Sequence, residues 1–106
     1  MSKKVVFSPL ANRDLESIWS YLAEECENPR AASKVIDSIL SRVELLADFP
    51  ESGTPLSSIN PISTPYRFVI AGSYLAFYRV GDSVFVDRVL SSRSDYLKAL
   101  LETGSN

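Results

Sequence analysis

In the second half of this 106-residue chain every cation except Lys98 is an arginine: Arg67, Arg79, Arg88 and Arg93. A guanidinium forks onto the two oxygens of a phosphate or a carboxylate, so an anion or an acidic partner would be held in this half, with Lys98 serving only as a point charge. Histidine is absent. That removes the side chain whose ordinary pKa lies nearest neutrality, the common base of hydrolytic triads and the commonest metal ligand, and no metal site is expected. The four glycines, Gly53, Gly72, Gly81 and Gly104, never cluster. Neither a phosphate-cradling loop nor a dinucleotide fingerprint can be written, and no cofactor is expected. Net charge is −2, whereas a general nucleic-acid binder displays a marked excess of Lys and Arg. Residues 1 to 60 hold six basic and nine acidic side chains, residues 61 to 106 five and four. Any anion-binding patch is therefore local and belongs to the second half.

The length fits one domain over residues 1 to 106, and 45% hydrophobic with 23% charged residues is the composition of an ordinary globular chain. Cys26 is the only cysteine and cannot form an internal disulfide; no apolar leader region lies near Met1, so a reducing cytoplasm is expected. No apolar run approaches the roughly 18 residues of a membrane span, and no membrane association is expected.

These side chains are positioned by elements that the spacing outlines. Lys3 to Phe7 is short and β-branched, an edge strand stopped by Ser8-Pro9, a helix cap followed by a first-turn proline. Leu15, Ile18, Trp19 and Leu22 then form an apolar stripe on a helix ending near Cys26. Asn28-Pro29 opens a second helix, whose stripe of Ala32, Val35, Ile36, Ile39, Leu40, Val43 and Leu46 runs to Phe49-Pro50. The short connection makes an antiparallel helical hairpin. Glu51 to Pro65 reads as a crossover loop. Strands Tyr66 to Ala71, Tyr74 to Val80 and Ser83 to Leu90 follow, joined by Gly72-Ser73 and Gly81-Asp82 in type II′ turns, and a short helix, Ser94 to Leu101, ends the chain. The fold class is α+β, with the helical hairpin packed on an antiparallel β-meander.

Two-residue turns would pair Ala71 with Tyr74 and Val80 with Ser83 and so fix every row. One face then carries Tyr66, Phe68, Ile70, Leu75, Phe77, Val84 and Val86, with Arg79 and Arg88 at its margins, and is assigned to the helices. The other carries Arg67, Val69, Ala71, Tyr74, Ala76, Tyr78, Phe85, Asp87 and Val89, too apolar to be left to water, and is expected to be a binding surface.

Several stretches resemble the RelE/ParE toxin family: Val6-Phe7-Ser8-Pro9, Asp14-Leu15 and Ile18 to Glu24 on the first helix, then Glu44 to Gly53 leaving the second. Phe77-Tyr78-Arg79-Val80 and Asp87 to Leu97 complete a resemblance that runs from about Val5 to Leu101. It implies the toxin of a type II toxin–antitoxin module, held inactive by a cognate antitoxin encoded beside it, the complex also binding operator DNA. The ribosome-dependent mRNA-cleaving branch carries basic side chains on the sheet and a basic or tyrosine residue near the C-terminus, which stabilise an in-line attack on phosphate. On that branch the matching catalytic residues are Arg67, Arg93 and Tyr96. Two further sheet cations fall on Val69 and on Leu75 or Ala76 and are lost. Arg88-Val89-Leu90 with Arg93 and Asp95 looks more like the ParE branch, whose members inhibit DNA gyrase by protein contact without a catalytic site. The remaining alternative is a member without toxicity, acting as a binding module.

Partner-binding candidates are thus Trp19, Arg67, Tyr74, Tyr78, Phe85, Val89, Arg93 and Asp95. Several have simpler readings. Trp19 on its stripe belongs to the core, or else marks where an antitoxin helix docks. Arg67 beside Tyr78 is either a cation–π pair or a partner contact, and Arg93 with Asp95 either a cap with an ion pair or a contact site. Arg79 and Arg88 read as snorkelling structural arginines.

Overall fold

Ser8 and Asn28 cap the two long helices as their positions require. The computed structural model describes residues 2–59 and 63–104. In it the Ser8 hydroxyl accepts from the Ala11 amide at 3.0 Å, with Pro9 in the first turn of α1 (Pro9–Ser20). Asn28 Oδ1 accepts from the Ala31 amide at 3.1 Å, ahead of Pro29 in α2 (Pro29–Glu44). Each cap satisfies an amide that the first helical turn leaves without a partner. α1 widens into a π-helical turn over Tyr21–Glu25, and Glu27 takes φ +50° as the chain reverses into α2. No described helix is long and apolar enough to cross a membrane.

The sheet is five-stranded and mixed, in the order β1-β5-β4-β3-β2. β1 (Val5–Phe7) is the expected edge strand and runs parallel to β5 (Val84–Ser91), Val5 opposite Val84. β3 (Arg67–Ala71), β4 (Tyr74–Val80) and β5 form the antiparallel meander. The crossover adds a two-residue strand β2 (Thr54–Pro55) against β3 and a 3-10 turn over Leu56–Ser58. Its residues 60–62 lie outside the described residues. α3 spans Tyr96–Gly104, starting two and ending three residues later than the sequence suggests.

The β3–β4 register is the expected one, with Ala71 opposite Tyr74 and Gly72 at φ +60° in the turn, a conformation that glycine adopts without steric cost. The β4–β5 register is corrected. Val80 pairs with Val84 rather than Ser83, because the turn closes on three residues, with Gly81 N–H donating to Ser83 O at 2.9 Å. Further along, Tyr78 faces Val86 while Phe77 faces Arg88, so Asp87 is an extra residue in a bulge.

The assignment of faces is corrected too. Val69, Ala76, Tyr78 and Val89, expected on a binding surface, pack with Ile18, Ile39, Val43 and Leu46 of the helical layer, and Val84 and Val86 join them. Phe68, Leu75 and Phe77 lie on the opposite face, roofed by Leu56 and by Leu100 of α3. Alternation along β3 and β4 separates two faces but does not label them when both are apolar. The loop and the last helix supply a second cover that periodicity does not reveal. Beyond β1 the open edge of β5 is finished by α1: Ser8 Oγ donates to Asp87 O at 2.8 Å, and Val89 N–H donates to Asp14 Oδ2 at 2.9 Å. Trp19, expected in the core as the simpler of its two readings, is instead 40% exposed, and the neighbouring Ile18 takes the buried position of that turn in the core cluster.

Candidate functional site

Tyr74 and Arg93 are the two candidate residues that the fold brings into one cleft. Its volume is about 460 Å³, and its walls come from the end of the helical hairpin (Tyr21, Leu22, Val35) and from Ser73 and Ser91 at the sheet end. A depression of about 280 Å³ continues it past Tyr74 towards Lys34 and Ser38. Beyond Tyr21 lies a third hollow with Glu24 and Glu25 in its wall.

The wall carrying Arg93 is tightly braced. Ser92 N–H donates to Ser73 O at 2.8 Å, tying the end of β5 to the β3–β4 turn. Arg93 N–H donates to Ser91 Oγ at 3.1 Å. The amide and hydroxyl of Ser94 both donate to Ser91 O, at 3.1 and 2.6 Å. The backbone at Arg93 is thereby fixed while its side chain is exposed, with no hydrogen bond or ion pair among the described residues. Across the cleft the Tyr21 hydroxyl is held above its ordinary pKa, chiefly by a hydrogen bond with the Cys26 side chain.

Arg67 does different work. Its Nη1 donates to Gly53 O at 2.9 Å and to Glu51 O at 3.1 Å, fastening the segment that leaves α2. Its cross-strand neighbour Tyr78 has no exposed surface, and burial pushes that phenol's pKa up. The face opposite the helices carries a separate polar cluster. Arg79 Nε and the Tyr66 hydroxyl both donate to Asp87 Oδ2, at 2.9 and 2.8 Å, and the guanidinium of Arg79 stacks 4.6 Å from the centroid of Phe85. Burial first, and the bond to Asp87 second, push the pKa of Tyr66 up to about 12. The bulge brings Asp87 to this cluster. Arg88 forks onto Asp14 with Nε–Oδ2 at 2.8 Å and Nη2–Oδ1 at 3.0 Å, a brace between β5 and α1, as a structural arginine would make.

The three catalytic candidates of an RNA-cleaving site do not converge. Arg93 stands beside Tyr74 at the turn end of the sheet. Arg67 pairs with Tyr78, four residues further along the strands and about 13 Å away at roughly 3.3 Å per residue. Tyr96 packs its ring on Phe77, centroids 5.7 Å apart, on the face away from the helices. Among the partner-binding candidates, Tyr78 and Val89 are core, Phe85 lies under Arg79, and Trp19 and Asp95 are exposed apart from the cleft lining. Asp95 makes no ion pair with Arg93; its carbonyl accepts from Ala99 N–H at 3.2 Å at the start of α3.

Sequence reasoning missed Tyr21 and Lys34 in the cleft and the Tyr66–Asp87–Arg79 cluster. Tyr21 carried a signal: it is an aromatic residue at the end of the first helix that the apolar stripe of Leu15, Ile18, Trp19 and Leu22 does not include. Lys34 carried none, and the cluster depends on a bulge that no local pattern announces.

A family model described as the ParE toxin of the type II toxin–antitoxin system parDE matches residues 5–96. Toxin ParE1 of Caulobacter vibrioides is 32% identical over 80 residues, covering 76% of this chain and 79% of that protein. Toxin ParE1 of Mycobacterium tuberculosis is 32% identical over 101 residues, covering 90% and 95%. Among solved structures, the chromosomal ParDE TA system from P. aeruginosa superposes with a TM-score of 0.71 at 19% identity, over 85% of this chain and 96% of that one. The toxin–antitoxin complex RelBE2 from Mycobacterium tuberculosis gives 0.60 at 19%, over 86% and 92%. At that identity the two structures speak for the fold.

Proposed function

Since the chain belongs to the ParE toxin family of type II toxin–antitoxin systems, we propose that it arrests growth by protein contact with DNA gyrase and is held inactive by a cognate antitoxin. The observation that carries the choice of target is the dispersal of Arg67, Arg93 and Tyr96. An in-line attack on phosphate needs converging donors where charge develops, and the loss of one such donor costs about 10² to 10³ in rate. Here Arg67 is anchored through Nη1 to Gly53 O and Glu51 O and Tyr96 stacks on Phe77, which leaves Arg93 by itself at the turn end of the sheet. Net charge −2 also disfavours docking into ribosomal RNA.

Antitoxin binding is supported by the apolar surface of the hairpin, where Trp19 is 40% and Tyr21 53% exposed. In this reading the complex with antitoxin binds operator DNA, and the chain works in the cytoplasm, where gyrase is. Supercoiling by purified gyrase, with and without the chain, is the test. Inhibition relieved by the product of the neighbouring reading frame is the expected result. Cleavage of mRNA in the A site of programmed ribosomes, with supercoiling untouched, would replace it by the RelE-like activity, and neither effect would leave a binding module without toxicity.

A further inference from the structure

We propose that the cleft between Tyr21, Tyr74 and Arg93 captures an extended acidic segment of a protein partner, with its carboxylates on Arg93 and Lys34 and an apolar side chain on Leu22 and Val35. The cleft and its continuation past Tyr74 are lined by two cations and no carboxylate, in a chain whose net charge is −2. Neither cation has a side-chain partner among the described residues. Four hydrogen bonds nevertheless fix the backbone that presents Arg93. With the backbone at Arg93 already ordered, only its side chain is left to immobilise when the planar guanidinium forks a carboxylate. The volume, about 460 Å³ before the 280 Å³ continuation, is that of a site for a few side chains.

The surroundings select a peptide over a nucleic acid. A polyanionic strand leaving the cleft past Tyr21 meets Glu24 and Glu25, whereas a peptide can place a polar or basic side chain there. The floor of Leu22 and Val35 rewards an aliphatic group, and only two cations are present to displace phosphate counterions. Capture of such a segment is independent of which macromolecule the chain arrests.

Fluorescence anisotropy of the purified full chain tests this with a labelled, terminally blocked hexapeptide of alternating glutamate and leucine. The matched lysine–leucine peptide and a labelled single-stranded RNA hexamer run beside it. Expected are saturable binding of the glutamate peptide that falls with salt, a loss of about tenfold or more with Arg93→Glu and Lys34→Glu combined, and a smaller loss with Arg93→Lys, which keeps the charge but not the fork. Both side chains are exposed, so the variants keep the fold, which thermal unfolding checks; the neutral Arg93→Gln serves if the double reversal does not. Equal binding of the lysine peptide, indifference to the substitutions, or no saturable binding up to about 1 mM overturns the assignment. Tighter binding of the RNA, lost with the same substitutions, overturns it in favour of a phosphate ligand. Gyrase inhibition by a chain that fails these assays would leave the target reading intact, and the converse result would remove only that reading.

Discussion

The Gly53 amide donates to the hydroxyl of Tyr78 at 2.9 Å in a site closed to solvent, so the loop leaving α2 is pinned to the middle strand of the sheet. Tyr78→Phe keeps the ring and removes the acceptor, stranding a buried N–H at a cost of about 1–3 kcal/mol. Gly53→Ala fails for another reason: its methyl would sit 2.7 Å from a Tyr78 ring carbon and 2.8 Å from Phe68 O. Overpacking of that kind costs about 1–3 kcal/mol. Urea unfolding of both variants should show a lower midpoint with an unchanged slope.

Asp14 serves three donors at once, two from the Arg88 fork and the Val89 amide. Side-chain exposures of 17% and 13% for Arg88 and Asp14 place the pair in partial shelter from water. Asp14→Ala should therefore cost about 2–4 kcal/mol, more than a surface ion pair and less than a fully buried one. Asp14→Asn should cost less, since the amide oxygen still accepts from Val89. A smaller loss for Asp14→Ala than for Asp14→Asn would show that α1 is not held through this carboxylate.

Tyr66 is held neutral well above its ordinary range, at about 12, by burial and then by its bond to Asp87. The folded chain keeps a proton that the unfolded chain sheds near pH 10. This contribution to stability is whole below pH 10 and is lost as pH rises towards 12. Tyr66→Phe should thus destabilise at pH 8 but flatten the fall in stability between pH 10 and 12. Parallel curves for the two proteins over that interval would count against the assignment. Tyr78, also raised by burial, contributes equally to both curves.

Both helix caps, the hairpin, the meander and the β3–β4 register are legible in the sequence because each rests on local chemistry: Ser8-Pro9, Asn28-Pro29, Gly72-Ser73. What was not legible depends on residues distant in the chain. Nothing near Asp87 announces the bulge that shifts the β5 register, because the ladder is irregular only where Phe77 and Tyr78 meet it. Phe68 and Phe77 alternate with Val69 and Tyr78 in polarity-blind fashion, and only the arrival of Leu56 and Leu100 decides which pair lies under the helices. Tyr74 and Arg93 share a cleft for the same kind of reason, since Ser92 reaches back to Ser73.

Trp19 is the only tryptophan in the chain, so its fluorescence reports one site. At 40% exposure it should emit as a largely solvated indole and be quenched by acrylamide in the free chain. Trp19→Ala should cost about 1–2 kcal/mol rather than the 3–5 kcal/mol of a buried aromatic truncation. A blue shift and protection from quencher on adding antitoxin would place the ring at that interface, while a loss of 3 kcal/mol or more would return it to the core.

Arg67 separates the two families of activity most sharply, because its guanidinium is anchored to the loop leaving α2, about 13 Å along the strands from Arg93 at roughly 3.3 Å per residue. Its Nη1 is shared between Gly53 O and Glu51 O, and carbonyls held by a charged donor contribute about 1.5–3 kcal/mol each at most. Partial exposure of this pair lowers that figure, so Arg67→Ala should cost about 1–2 kcal/mol in unfolding experiments. Arg67→Lys should recover only part of it, since an ammonium on a flexible stem does not reproduce the planar donor. Residual gyrase inhibition should follow the folded fraction of each variant and nothing else. A variant that unfolds like the parent chain but loses ribosomal mRNA cleavage would instead put Arg67 on the scissile phosphate, and the ribonuclease reading would then displace the gyrase one.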